Sequence, residues 1–166
     1  MLFKSKKKQT LTLASPTDGK YLPIEDVSDV VFSEKILGDG VAIEPTSTTI
    51  LSPINGSVEN IFDTKHAIGL KSDEGFLILI HIGIDTVKLK GKYFNTLVSV
   101  GDKVIKGQPL IDFDLDKIKE EGYLTTTPIV ITNENDNLKI EVLTKTPKAN
   151  EDFIRISKWQ KTLKPN

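Results

Sequence analysis

The chain contains no cysteine, which excludes disulfides, thiolate metal sites and a thiol nucleophile. Neither sign of charge is in excess: 22 Lys and Arg stand against 23 Asp and Glu, for a formal net charge of -1. Phosphate-backbone binding needs a basic surplus or patch, so nucleic acid is excluded as the main partner. No apolar run approaches the roughly 20 residues that a membrane span requires. The N-terminus, Met1-Leu2-Phe3-Lys4-Ser5-Lys6-Lys7-Lys8, is basic. No apolar stretch of about 7–15 residues follows it, as a secretory signal would demand, and it reads as a solvated tail. Nucleotide motifs are missing too. There is no P-loop, and Gly38-Asp39-Gly40 is too short for a dinucleotide fingerprint. These absences set the expectation of a soluble cytoplasmic protein.

What is present is 166 residues of ordinary globular composition, 38% hydrophobic and 27% charged, enough for one domain with its own core. Strands are expected over Val58–Phe62, Phe76–Ile84, Pro109–Phe113, Pro128–Thr132 and Leu138–Leu143. Turn chemistry separates them at Asn55-Gly56, Ser72-Asp73-Glu74-Gly75, Gly101-Asp102, Lys106-Gly107 and Asn133–Asn137. One helix is predicted over Asp114–Glu121, capped by Asp114 and ended by Gly122, with a second helical turn over Val30–Lys35. Many short strands with one or two helical turns predict an all-β fold, an antiparallel β-sandwich of barrel-sandwich type. The chain also echoes itself. Ser15-Pro16-Thr17-Asp18-Gly19 parallels Ser52-Pro53-Ile54-Asn55-Gly56, which reads as two similar turns feeding two similar strands.

Only two histidines occur, His66 and His81, on either side of the Ser72–Gly75 turn. A two-residue Asp73-Glu74 loop would place them directly opposite one another, with Cβ atoms about 4.5–5.5 Å apart. A three-residue loop using Gly75 would shift the register by one and put them on opposite faces. Alternation assigns Phe76, Ile78, Ile80, Ile82 and Ile84 to the core face. His81 then shares the other face with Leu77, Leu79, Gly83 and Asp85, and His66 lies with Phe62, Thr64 and Ile68. If exposed, this face of two imidazoles, a hydroxyl, a carboxylate and large apolar groups is a patch of the kind that marks a protein-docking site; if a second sheet covers it, the histidines need buried hydrogen-bond partners. As zinc ligands the imidazoles need a third group, from Asp29, Asp63, Asp85 or a partner. As acid–base partners they would suit hydrolysis, but no Gly-x-Ser-x-Gly elbow is present. As a nucleophile, one neutral imidazole can hold a labile phosphoryl group while the other hydrogen-bonds its oxygens. Phosphoryl relay uses every feature of the face.

At these residues the chain closely resembles the glucose-family enzyme IIA of the bacterial phosphoenolpyruvate-dependent sugar phosphotransferase system. The resemblance rests on Ile24–Phe32, Gly38–Pro45, Ser52–Gly56, Thr64–Ala67, His81–Val87, Gly101–Val104 and Phe113–Leu115. It implies an antiparallel β-sandwich and phosphorylation of His81 on Nε2, with phospho-HPr as donor and the IIB domain of a sugar permease as acceptor. It also implies that His66 steadies the phosphoryl group and that Thr64 orients the His66 ring. Asp29 and Asp85 match acidic residues flanking the site, and Val31, Phe32, Ile36, Phe62, Leu79 and Val87 match an apolar docking patch. No cofactor is implied; zinc on His66 and His81 would need a ligand from a regulated partner protein. Membrane contact would come through the permease alone.

The resemblance spans about Ala14 to Lys158, which divides the chain into a basic tail over 1–13, an enzyme IIA domain over 14–158 and a C-terminal tail over 159–166. The length and ends set the expectation of a free-standing protein. Three rivals stand beside this reading. Val98–Gly107 looks like a turn-rich stretch of biotinyl or lipoyl carriers, but their Met-Lys-Met or Asp-Lys-Ala setting is missing. A zinc hydrolase lacks its His-x-His. A regulatory module that docks partners without turnover is compatible with phosphoryl carriage, since charge on His81 would switch which partners bind.

Overall fold

Short runs of alternating apolar and polar residues, punctuated by glycine and asparagine turns, build many brief strands. The computed structural model describes residues 4–132 and 137–163. The strands are β1 (Lys4–Ala14), β2 (Gly19–Pro23), β3 (Gly38–Pro45), β4 (Thr49–Leu51), β5 (Gly56–Ile61), β6 (Ala67–Ser72), β7 (Leu77–His81), β8 (Phe94–Thr96), β9 (Lys103–Val104), β10 (Pro109–Phe113), β11 (Thr127–Thr132), β12 (Leu138–Val142) and β13 (Asp152–Leu163). Two short helices, α1 (Val30–Ser33) and α2 (Leu115–Glu120), complete the set with two 3-10 turns. A seven-stranded sheet runs β2-β3-β11-β7-β6-β5-β9, and two small sheets run β1-β13-β12 and β4-β10-β8. The ladder pairings in all three are antiparallel. One apolar core joins Leu13 and Ile154, Ile50 and Ile111, and Ile68, Ile80 and Ile129, so all three sheets pack on it. The all-β sandwich expected from the sequence is the fold observed.

The large sheet has a second apolar face. Ala42, Val130 and Leu79 point away from the main core, and Ile24, Val27 and Phe32 cover them. Burial of Phe32 thereby clamps α1 onto the sheet. Asp29 caps this helix, its Oδ1 accepting the Val31 N–H at 2.9 Å. Of the expected strands, Pro109–Phe113 matches β10, and the others differ by one to a few residues at their ends. Asp114 caps α2 by accepting the Lys117 N–H, and Gly122 at φ 91° follows it. The turn expected over Asn133–Asn137 lies, Asn137 apart, outside the described residues.

Two expectations need correction, and one open alternative is decided. The segments read as tails form the ribbon of β1 and β13, paired from Lys4↔Leu163 to Ala14↔Asp152. Leu11 and Leu13 bury themselves opposite Ile156 and Ile154; that two-residue period is short, and the polar run before it hides it. Ile84 does not join the core face of Ile78, Ile80 and Ile82 but lies in the second cluster, because Gly83 at φ 79° breaks the alternation. Finally, the β6–β7 loop has three residues. Gly75 N–H donates to Ser72 C=O, Ser72 N–H donates to Phe76 C=O, and Ala67, not His66, pairs with His81.

The sequence echo is a structural repeat. Ser15 Oγ donates to Thr17 C=O at 2.6 Å, and Ser52 Oγ donates to Ile54 C=O at 2.7 Å. The two turns also hold one another: Ala14 N–H donates to Pro53 C=O, and Leu51 N–H donates to Pro16 C=O. Each then grips a later turn in the same way. Asp18 Oδ1 accepts the Ala149 N–H, as Asn55 Oδ1 accepts the Lys106 N–H. Ser15 exchanges backbone bonds with Asn150 and Glu151, as Ser52 does with Gly107 and Gln108. Asn150 and Gly107 both have positive φ, 65° and 85°. This pseudo-symmetric crossing pins the sandwich at one end.

Gly75 tests the register argument. It has φ 95°, and a Cβ there would meet nothing within 4 Å, so substitution strains only the backbone. Gly75→Ala is expected to cost about 1–2 kcal/mol, and Gly75→Asn less, as read from urea unfolding midpoints.

Candidate active site

The chain leaves β5 at Phe62 and turns back into β6 through Asp63, Thr64, Lys65 and His66. Lys65 N–H donates to Phe62 C=O at 2.7 Å, and Lys65 itself is left-handed at φ 60°. His66 therefore stands just outside the regular strand. Its backbone C=O still accepts the Ile82 N–H at 2.7 Å, but its side chain no longer obeys strand alternation. A register shift that would have separated the histidines in regular strands leaves them together. Their ring centroids are 4.7 Å apart and the planes nearly perpendicular, at 82°. Ile68, expected on the same face as His66, is instead fully buried in the main core.

Each ring is held by one bond at Nδ1. His81 Nδ1 lies 2.8 Å from the Gly83 carbonyl oxygen. A carbonyl only accepts, so Nδ1 carries the proton, and in the neutral ring the Nε2 lone pair is free. His66 Nδ1 lies 2.8 Å from Thr64 Oγ1, a hydroxyl able to donate or accept. His66 is buried, at 1% exposure, and Phe62 stands edge-on to it at 5.5 Å. Phe32 lies against His81 with ring centroids 5.0 Å apart.

Burial dominates the electrostatics. It pushes His66 down to about 4, helped by the neighbouring His81. Burial also lowers His81, against the Gly83 bond and the negative charges of Asp29 and Asp85. Two neutral imidazoles, one with a directed lone pair, can attack an electrophile and steady it with a ring N–H. Among the described residues no three His, Cys, Asp or Glu side chains gather around a metal-sized space.

Residues 11–137 match the model of the family described as phosphoenolpyruvate-dependent sugar phosphotransferase system, EIIA 1. The chain belongs to that family. Among its EIIA relatives, the PTS system glucose-specific EIIA component of Staphylococcus aureus (strain MRSA252) is 46% identical over 132 residues, 80% of each chain. The component of the same name from Staphylococcus epidermidis (strain ATCC 35984) is 44% identical over 134 residues, 81% of each. The PTS system beta-glucoside-specific EIIBCA component of Bacillus subtilis (strain 168) is 51% identical over 119 residues, 72% of this chain and 20% of that protein. Among solved structures, the glucose permease IIA from Mycoplasma capricolum superposes with a TM-score of 0.82. It is 34% identical, covering 89% of this chain and 96% of that one. EIIA members are components of a sugar-transporting phosphotransferase system, and that is the broad function of this chain.

Within this EIIA fold, the expected site residues divide by exposure. Val31, Ile36, Phe62 and Val87 are exposed, and Leu79 is half-buried. Phe62 and Leu79 line one shallow groove of about 350 Å³. Phe32, expected in the docking patch, is only 3% exposed. Its ring is spent covering the sheet and backing His81, so it supports the patch from beneath. Asp29 is half-buried at the start of α1, and Asp85 is exposed in a left-handed turn at φ 59°. Sequence reasoning missed Val30 and Leu37, exposed beside Val31 and Ile36, and the role of the Gly83 carbonyl. The signal for the latter was a glycine two residues beyond a histidine.

A pH dependence follows. Both folded-state histidines have lowered pKa values, whereas in the unfolded chain they protonate near 6.5. Between about 6.5 and 4 the unfolded state binds more protons, so stability falls as pH drops through that window and levels off below it. Ring-proton NMR is expected to show His66 still neutral at pH 5.5; a titration midpoint near 6.5 would contradict this account.

Proposed function

We propose that this EIIA chain accepts a phosphoryl group from phospho-HPr on Nε2 of His81 and passes it to the IIB domain of a sugar permease. The observation that carries the reading is the Nδ1–H to Gly83 C=O bond, which leaves Nε2 as a directed nucleophile beside a second buried imidazole. The Nε2 lone pair bonds to phosphorus as the bond from phosphorus to the donor imidazole nitrogen breaks, and the donor keeps that electron pair. His81 loses no proton, since the proton stays on Nδ1, which donates to the Gly83 carbonyl. Charge on the moving group spreads over three oxygens, so catalysis is mostly positioning and electrostatic stabilisation.

In this reading Thr64 donates to His66 Nδ1, which leaves Nε2–H of His66 to hydrogen-bond a phosphoryl oxygen. Asp29 and Asp85 face the incoming cationic surface of the donor, and Val31, Ile36, Phe62, Leu79 and Val87 give it an apolar seat. The transfer uses no cofactor, and the chain works in the cytoplasm, touching membrane only through the permease. That a relative bears the name EIIBCA supports a IIB domain as the acceptor. Occupancy of His81 by a phosphoryl group would also change the charge that this face shows to regulated proteins.

Intact mass tests the reading after incubation with phosphoenolpyruvate, enzyme I and HPr. The parent is expected to gain one acid-labile phosphoryl mass and His81→Ala none. His66→Ala is expected to accept the group but to donate it to IIB at least tenfold more slowly, on the scale that positioning losses reach. Donation at the parent rate would remove His66 from its assigned role. Failure of the parent to gain mass, with active enzyme I and HPr, would leave a docking module without turnover.

A further inference from the structure

We propose that Thr86 is a positioning residue for His81, acting through the Ile82–Gly83 peptide. Thr86 is fully buried, at 0% exposure, and its hydroxyl donates a 2.5 Å hydrogen bond to the Ile82 carbonyl. The N–H of Ile82 meanwhile donates to the His66 carbonyl at 2.7 Å. The backbone of one residue is thus tied to both sides of the site. Beyond it the chain leaves β7 through two left-handed residues, Gly83 at φ 79° and Asp85 at φ 59°. Such conformations persist only where the surroundings over-determine them.

The surroundings here are specific. A Cβ on Gly83 would lie 2.5 Å from the Thr86 γ-methyl and 2.9 Å from the Leu124 carbonyl oxygen. That carbonyl also accepts the Ile84 N–H at 3.0 Å. Because the peptide unit is planar, rotating the Ile82 carbonyl rotates the Gly83 N–H with it and re-aims Gly83. The Gly83 carbonyl is the group that fixes the proton on His81 Nδ1. The hydroxyl of Thr86 therefore sets, through the Ile82–Gly83 peptide, which ring nitrogen of His81 is nucleophilic. Valine at this position would fill nearly the same volume without that control.

The inference rests on the phosphocarrier reading for its kinetic arm only. Long-range proton–nitrogen NMR on the unphosphorylated, nitrogen-15-labelled parent is expected to show His81 with Nδ1 protonated and Nε2 bare. In Thr86→Val the ring should become a mixture of tautomers, and phosphorylation by phospho-HPr should slow roughly tenfold or more. Thr86→Ser should restore both. A Thr86→Val protein with the parent tautomer overturns the inference, whatever its rate, and so does a Thr86→Ser protein that fails to restore the tautomer. If Thr86→Val does not fold, Thr86→Ala carries the same comparison without crowding. A parent that takes no phosphoryl group defeats the functional reading, while the tautomer measurements still decide the role of Thr86.

Discussion

One 2.8 Å contact organises the site: the Nδ1 of His81 against the carbonyl of Gly83. An imidazole free to choose its tautomer offers a lone pair on either nitrogen. Here the backbone makes the choice. The carbonyl is presented by a turn with two left-handed residues, which interrupts the strand as soon as His81 has been placed. Ile84 is thereby diverted from the main core into the second cluster with Phe32. The apolar cover that results also packs Phe32 against the ring. Nucleophile orientation, strand end and helix docking are consequences of a single reversal in the chain.

The second constraint is desolvation. Placing His66 out of water beside another imidazole keeps it neutral at physiological pH, since burial penalises the charged form. A neutral His66 adds no positive charge beside His81 and keeps one ring N–H to donate. The carboxylates of Asp29 and Asp85 work from further out, where they oppose the downward shift of His81 without reaching its ring as hydrogen-bond partners. Negative charge and the neutral rings are in this way kept on different atoms.

Much of this was legible in the sequence, for physical reasons that differ from residue to residue. Strand β10 and helix α2 announced themselves through end signals, the latter through Asp114 and Gly122. The Ser-Pro-x-Asx-Gly echo was visible because its serines and Asx residues have the same local bonds to make. Its extension to Gly107 and Asn150 was not, since those turns share only a positive φ and no side-chain chemistry. Alternation left the histidine pairing contingent on the length of the loop between them. The three-residue loop would separate the rings in regular strands, but left-handed Lys65 breaks the period just before His66, and the rings meet because of that break. Phe32 was placed in the docking patch by the resemblance alone, and a four-residue helix has too little periodicity to reveal its buried side. The ribbon of β1 and β13 was concealed by lysines, which pattern analysis scores as solvent whether or not the backbone is paired.

Those lysines have a different significance once β1 is known to be a strand. It is the outer member of its sheet, and no described strand pairs along its far side. An open edge of eleven residues is a template on which another chain could add and begin an aggregate. Four of the first five residues of β1 are lysine, and Lys7 and Lys8 are exposed. Two such edges approaching one another bring like charges into register, so self-association is opposed where it would be easiest. This protection is screened over about 10 Å at 0.1 M salt and about 3 Å at 1 M. Colloidal behaviour at high ionic strength is thus written into the same residues that open the chain.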